Sequence, residues 1–173
     1  AGGHLSLMQG TAGNAGDPKA ADPIDRVSSR VQAVACFFPP TDFLNYGQEG
    51  VDVLESKILI NFRAPFAFHE LKKSGYVGEY VLITDEQKID EILKQTSPIT
   101  HLTADDPPTL VIHGDKDQLV PLEQAERFVA QLKTLDVPAR LIVKKGAGHG
   151  WPKLNEDMAV IADWFDEHLQ KKE

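Results

Sequence analysis

Residues 109–121 read TLVIHGDKDQLVP, and residues 139–151 read ARLIVKKGAGHGW. Each stretch begins with an apolar run of the length typical of a buried strand and continues into a loop rich in glycine or aspartate. Between the two runs a helix is predicted from Pro121, with an apolar face made of Ala125, Phe128, Val129, Leu132 and Leu135. The order strand, helix, strand predicts two parallel strands joined by a right-handed crossover.

The rest of the chain extends this pattern on both sides. The run Val31–Phe38 is apolar almost throughout, which is typical of a strand buried on both faces of a parallel sheet. The pattern over residues 1–9 predicts a short helix with Leu5 and Met8 on one face. After the third strand, Asn155 is expected to cap a last helix, whose apolar stripe consists of Met158, Ile161, Phe165 and Leu169.

Residues 44–100 follow this alternation less well and are interpreted as an excursion from the sheet, a small cap or lid. One helix is predicted there, because Thr84 and Gln87 have the spacing of a capping box. An aromatic cluster precedes that helix and is expected to form the core of the excursion rather than to contact a substrate directly; it consists of Phe62, Phe66 and Phe68.

Composition indicates one globular domain over residues 1–173 and limits its partners. The net charge of −8 argues against nucleic acid or an anionic membrane as a partner, because both require clustered Lys and Arg. The single cysteine, Cys36, lies in an apolar run and is expected to be a buried structural thiol. The sequence leaves the cellular location open.

Two residues are the strongest candidates for chemistry. Asp117 and His149 follow the ends of neighbouring predicted strands, where sites form in open parallel sheets. An Asp beside a His can hold the imidazole in one tautomer and stabilise its protonated form. Near them, Asp115 is expected to brace its loop rather than act as a second acid, and His113 is expected to be structural.

A metal site is the weaker alternative. Asp115 and Asp117 could form an acidic metal pocket in another doubly wound fold, but that reading leaves His149 and its flanking glycines without a role. The remaining histidines show no metal-ligand spacing, so no metal is expected at His69, His101 or His168.

Three motifs in this order resemble the α/β-hydrolase superfamily, in particular its esterase/lipase and prolyl-oligopeptidase-like branch. Residues 113–121 match an H-G-x-x-D-x-x-V-P motif, and residues 146–151 match G-x-x-H-G-[WF]. The opening Ala1-Gly2-Gly3-His4 matches the part of a G-x-S-A-G-G-H nucleophile elbow that follows the serine. The resemblance implies the C-terminal part of a three-layer α/β/α hydrolase fold with parallel strands and a small cap-like insertion.

The resemblance also assigns roles. It implies that Asp117 is the acid and His149 the base of a catalytic triad, with the serine immediately before Ala1 and therefore outside the chain. The backbone N–H of Ala1 would serve the oxyanion hole, and His4 and Trp151 are possible pocket residues. Such a mechanism needs no cofactor and no metal.

The expected function is a serine hydrolase of small-molecule carboxylic esters, to which this chain supplies acid and base. The alternatives are a non-catalytic binding or assembly module and a prolyl-oligopeptidase-like peptidase. In the family a further strand lies beside the one corresponding to Val31–Phe38. That edge is therefore expected to pair with a preceding segment or with a second copy of the chain.

Overall fold

The fold is described from a computed structural model that covers residues 1–74 and 77–170. Residues 75–76, inside the predicted insertion, and residues 171–173, at the end of the predicted domain, lie outside the described residues. The regular elements are α1 (Gly2–Thr11), β1 (Val34–Phe37), β2 (His69–Ser74), β3 (Val77–Leu82), α2 (Glu86–Gln95), β4 (Thr109–Gly114), α3 (Leu122–Thr134), β5 (Ala139–Lys144) and α4 (Met158–Leu169).

Three parallel strands form the central sheet in the order β1-β4-β5. The register pairs Val34 with Thr109 and Thr109 with Ala139, so the N-terminal ends of all three strands lie together and so do their C-terminal ends. Every residue of β4 is buried, because this strand has a neighbour on each side and helices on both faces. The loops that follow β4 and β5 therefore emerge side by side.

Helices cover both faces of the sheet. One face packs against α1 and α3 through a cluster that includes Leu7, Cys36, Val111, Phe128 and Leu132. The other face packs against α4 through Leu110, Ile112, Ile161 and Trp164. Successive residues of β4 point to opposite faces, which places Val111 in the first cluster and its two neighbours in the second. The predicted three-layer α/β/α architecture with parallel strands is confirmed.

Residues 44–100 contain an antiparallel hairpin, β2–β3, that forms a sheet of its own. A separate apolar cluster combines Phe43, just before this segment, with four residues inside it, Tyr46, Val53, Leu59 and Leu93. Phe66 and Phe68 pack against this cluster, whereas Phe62 remains 56% exposed. The sequence pattern did not predict the hairpin, because β2 is mostly polar and the apolar residues of β3 are largely exposed, so neither strand shows a buried apolar face. The interpretation of this segment as a cap stays a prediction.

Several predicted helix features were wrong in detail. The helix α2 is capped by Asp85, whose carboxylate accepts a hydrogen bond from the Lys88 N–H, and not by Thr84. In α1 the buried residue is Leu7, and Leu5 is 65% exposed. The face of α1 that packs against the sheet includes Gly3, where an added Cβ would lie 2.5 Å from the Phe37 carbonyl oxygen, and Gly10, where it would lie 2.9 Å from the Val34 side chain.

Two further boundaries differ from the prediction. The strand β1 begins at Val34 instead of Val31, since Val34 is the first residue aligned with a residue of β4. Asn155 does not cap the last helix but lies within a 3-10 turn, Leu154–Asp157, that leads into α4. No helix among the residues described is long and apolar enough to cross a membrane.

Candidate active site

The acid and base candidates meet at the carboxyl end of the sheet. Asp117 lies in the loop after β4, His149 lies in the loop after β5, and the Nδ1 of His149 is 2.7 Å from Oδ2 of Asp117. Because an ionised carboxylate only accepts hydrogen bonds, Nδ1 carries the proton and donates it. In the neutral ring this leaves the lone pair of Nε2 available as a base.

The Asp117 carboxylate is held from several directions. Its side chain is fully buried, whereas the side chain of His149 is 31% exposed. Its Oδ1 accepts hydrogen bonds from the backbone N–H groups of Leu119 and Val120, both at 2.9 Å. These bonds fix the plane of the carboxylate and leave Oδ2 directed at the imidazole. A buried, fixed acid beside a partly accessible base is suited to proton transfer with a bound substrate.

Backbone hydrogen bonds join the two loops that carry this pair. The Lys116 N–H donates to the carbonyl of Ala147 at 2.8 Å, and the N–H of Gly146 donates to Oδ1 of Asp115 at 2.6 Å. Asp115 therefore braces the histidine loop, which agrees with the role expected for it. The spacing between Asp117 and His149 is consequently set by backbone contacts as well as by the side chains themselves.

His113 lies at the end of β4 and is completely buried beneath the pair. Its Nε2–H donates to the carbonyl of Val120 at 2.8 Å and lies 3.4 Å from Oδ2 of Asp117. Burial lowers the pKa of His113, although the Val120 carbonyl and the Asp117 carboxylate work in the opposite direction. His113 therefore packs against Asp117 as a neutral imidazole, and its buried Nδ1 forms no hydrogen bond with any residue that the structure describes.

Trp151 anchors the far end of the histidine loop. Its indole N–H donates to Oδ2 of Asp157 at 2.7 Å, and the other carboxylate oxygen of Asp157 forms an ion pair with Lys144. Burial acts to raise the pKa of Asp157, but the hydrogen bonds from Lys144 and Trp151 outweigh it and lower that pKa. Trp151 thus has a clear structural role; its contact with a substrate stays a prediction.

The start of α1 lies close to the end of β1. A Cβ on Gly3 would lie 2.5 Å from the carbonyl oxygen of Phe37, so only glycine fits at this contact. Ala1 precedes the helix, and its carbonyl accepts a hydrogen bond from the Leu5 N–H at 3.0 Å. Its assignment to an oxyanion hole stays a prediction. Ser6 donates to the Gly2 carbonyl at 2.9 Å, the self-bonding typical of a serine within a helix.

His4 contacts the segment that was interpreted as a cap. Its Nε2–H donates to the carbonyl of Thr96 at 2.7 Å, and its ring packs against Phe43 with centroids 5.3 Å apart. Burial lowers the pKa of His4, against the effect of the Thr96 hydrogen bond, which raises it. Contact between His4 and a substrate stays a prediction.

One residue of the site was missed by sequence reasoning. Phe38 follows β1, has a φ of +37°, and places its ring 4.2 Å from that of His149, measured between centroids. A bulky residue in the left-handed region is an outlier that costs on the order of 1–3 kcal/mol and marks functional sites disproportionately. The sequence pattern indicates the opposite conformation, because Phe38 precedes Pro39 and a residue before proline favours extended backbone.

The remaining titratable candidates do not form a second site. No group of three His, Cys, Asp or Glu side chains within residues 1–74 and 77–170 is arranged to hold a metal ion. Cys36 is buried in the sheet, and burial raises the pKa of its thiol to about 12, as expected of a structural cysteine.

The α/β-hydrolases have this arrangement: a three-layer α/β/α fold with an Asp–His pair on the loops that follow adjacent parallel strands. Residues 1–132 match the BD-FAE family, and the chain belongs to that family. The match ends before His149, so the prediction that His149 is a base rests on its contact with Asp117 and on its motif and not on the family match.

Individual proteins agree with this assignment. The chain is 32% identical over 133 residues to the "Probable carboxylic ester hydrolase LipM" of Mycobacterium tuberculosis, which covers 77% of the chain. It is 30% identical over 110 residues to the "Uncharacterized peptidase YuxL" of Bacillus subtilis, which covers 60% of the chain. A solved structure, the "Truncated form of carbohydrate esterase from gut microbiota", superposes with a TM-score of 0.67 at 27% identity over 96% of the chain.

The chain spans only part of these proteins. It covers 26% of LipM, 17% of YuxL and 56% of the solved carbohydrate esterase. The family and sequence matches show membership of an esterase-containing α/β-hydrolase family.

Proposed function

We propose that this chain supplies the acid and the base of a carboxylic-ester hydrolase. The observation that carries the proposal is the 2.7 Å hydrogen bond from His149 Nδ1 to the buried carboxylate of Asp117. His149 acts as general base toward a nucleophile and then as general acid toward the leaving alcohol. Asp117 holds the ring in the reactive tautomer and stabilises its protonated form.

The nucleophile in this proposal is a serine directly before Ala1 in a longer polypeptide. The packing of Gly3 against Phe37 supports it, because it brings the start of α1 to the end of β1, where the Phe38 ring contacts His149. In this arrangement the backbone N–H of Ala1 donates to the oxyanion of the tetrahedral intermediate. The chemistry uses neither a metal nor a cofactor.

The substrate class is a small-molecule ester. LipM is named as a carboxylic ester hydrolase and the solved neighbour as a carbohydrate esterase, which favours esters over other acyl compounds. Trp151 and His4 remain the candidate pocket residues, and the segment 44–100 is the candidate cap. We expect neither nucleic acid nor a membrane as a partner.

A peptidase is the second candidate, because YuxL is named as a peptidase. Comparing kcat/KM for p-nitrophenyl esters with that for peptide p-nitroanilides separates the two activities. The third candidate, a non-catalytic module, predicts turnover of neither kind of substrate.

The test is hydrolysis of p-nitrophenyl acetate by a polypeptide in which this segment follows a G-x-S elbow. Asp117→Asn should lower kcat about 10⁴-fold, and His149→Ala should lower it by roughly 10⁶. Asp115→Asn is the matched control and should retain most of the activity, because the Asn side-chain oxygen can still accept the hydrogen bond from the Gly146 N–H and position 115 does not contact the imidazole. Unchanged rates in both Asp117→Asn and His149→Ala would refute the assignment.

A further inference from the structure

Phe38 is an aromatic side chain in contact with the base candidate, and no role in the proposed reaction has been assigned to it. Its ring centroid lies 4.2 Å from that of His149, with the ring planes inclined at 49°. The Trp151 ring stands edge-on to it at 5.8 Å. One side of the imidazole is thus bounded by Phe38, while its Nδ1 is bound by Asp117.

The backbone of Phe38 is held on both sides in its strained conformation. Its N–H donates to the carbonyl of Ile112 in β4 at 2.9 Å, which ties it to the central strand. The flanking residues Phe37 and Pro39 pack against Gly3, whose added Cβ would come within 2.5 Å and 3.2 Å of them. Strained residues persist only where their surroundings determine the conformation, and here those surroundings are the start of α1 and the central strand.

This placement connects the two halves of the proposed site. The turn that presents Phe38 is the one that receives the start of α1, where the proposal locates the nucleophile. The Phe38 ring is attached to that turn and packs on His149. The orientation of the imidazole therefore depends on the position of α1.

We propose that Phe38 is a positioning residue that fixes the orientation of the His149 imidazole between Asp117 and the nucleophile. The inference rests on the proposed ester hydrolysis for its effect on rate. Its effect on the imidazole is independent of turnover. Contacts between aromatic rings are worth enough to change an orientational equilibrium by about three- to tenfold.

The first experiment observes the imidazole in the 173-residue chain by proton NMR. The Nδ1–H proton of His149, assigned by its loss in His149→Ala, should exchange with water about three to ten times faster in Phe38→Leu than in the wild type. Phe38→Tyr keeps the ring and should restore the wild-type rate. Phe37→Leu is the comparison for an aromatic ring lost one residue away, because the Phe37 ring packs against those of Phe38 and Trp151 and not against that of His149.

The second experiment measures ester hydrolysis in the polypeptide that carries the serine. Phe38→Leu should lower kcat about three- to tenfold with little change in KM, and Phe38→Tyr should restore kcat. If the Leu variant does not fold, as judged from its amide spectrum, Phe38→Met provides the same comparison.

Failure of this inference and failure of the proposed function are distinguishable. Equal proton exchange in the wild type, Phe38→Leu and Phe37→Leu would overturn the positioning role, whatever the activity. Loss of exchange protection in Phe38→Leu, together with a wild-type protein that hydrolyses no ester, would retain the positioning role and refute the function.

Discussion

Gly114 and Ala147 are in such close contact that Gly114 has no space for a side chain. A Cβ on Gly114 would collide with the carbonyl oxygen of Ala147 and would lie 2.5 Å from that of Gly148. Gly114 is the last residue of the strand that leads to the acid, and Ala147 is two residues before the base. The absence of a side chain at Gly114 therefore permits the approach of the two loops.

Gly114→Ala should displace the histidine loop. The obstructing atoms belong to the backbone and cannot rotate away, so we expect a loss of stability of about 1–3 kcal/mol. We also expect kcat for ester hydrolysis to fall by roughly 10²-fold, the effect of a displacement of about 1 Å at a reacting group. The measurements are chemical denaturation of the chain and p-nitrophenyl acetate turnover of the longer polypeptide.

Gly148→Ala is the control for this substitution within the same loop. The nearest atom to its added Cβ is the Lys116 carbonyl oxygen at 3.8 Å, an ordinary contact. Comparable losses of stability and turnover in both variants would contradict the specific role of the contact at Gly114.

Gln124 holds the loop after β1 against α3, and its replacement should be costly. Its buried side-chain oxygen accepts hydrogen bonds from the N–H groups of Thr41 and Asp42 at 3.0 and 2.8 Å, and its amide donates to the Asn45 carbonyl at 2.7 Å. Gln124→Met keeps the size of the side chain and removes all three bonds. We expect a loss of roughly 2–6 kcal/mol in the free energy of unfolding, because at least two buried N–H groups lose their partners.

Gln131→Met, on the exposed side of the same helix, is the comparison for Gln124→Met. It should change the free energy of unfolding by no more than about 0.5 kcal/mol. Urea denaturation of both variants gives the difference, and equal midpoints would exclude the role assigned to Gln124.

Acidification should destabilise the chain through its buried histidines. The pKa of His113 in the folded chain is lowered by burial, so below about pH 6.5 the unfolded chain binds a proton that the folded chain does not. The free energy of unfolding therefore falls as the pH falls from about 6.5 toward the lower folded pKa. His4, whose pKa is also lowered by burial, acts in the same direction.

His113→Gln should reduce this pH dependence. The free energy of unfolding, measured between pH 7.5 and pH 5.5, should fall less in the variant than in the wild type, even if the variant is less stable throughout. A steeper fall in the variant would show that His113 does not titrate in the manner described.

The outer edge of β1 should pair with another strand. Within the ranges described, β1 pairs only with β4, and the N–H groups of Val34 and Phe38 point toward that neighbour. By the alternation of strands, the N–H of Ala35 points to the open edge. For the 173-residue chain we expect self-association through this edge at micromolar concentration, measurable as a mass above that of the monomer by light scattering.

Ala35→Pro tests this edge without removing a bond to β4. Proline deletes the outward N–H and is tolerated on edge strands, so the variant should shift toward the monomer and remain folded. A wild-type chain that is monomeric throughout the concentration range would disprove the prediction.

The strands of the central sheet could be predicted because burial on both faces leaves an apolar run that the sequence displays directly. The pairing of Asp117 with His149 could then be predicted, because the loops that follow adjacent parallel strands lie side by side at the C-terminal ends of those strands. The β2–β3 hairpin could not, because its strands lie largely in solvent and nothing selects an alternating pattern for them. Phe38 was missed because its backbone conformation is imposed by Gly3 and β4, which are distant in sequence.

The complete burial of β4 should affect the order in which parts of the chain unfold. Local opening reaches the least covered elements first, so amide hydrogens of the central strand should be among the last to exchange with deuterium. The acid is attached three residues beyond this strand, so we expect its loop to keep its order longer than the exposed elements do. Heating should therefore melt the outlying hairpin before it separates the carboxylate from the imidazole.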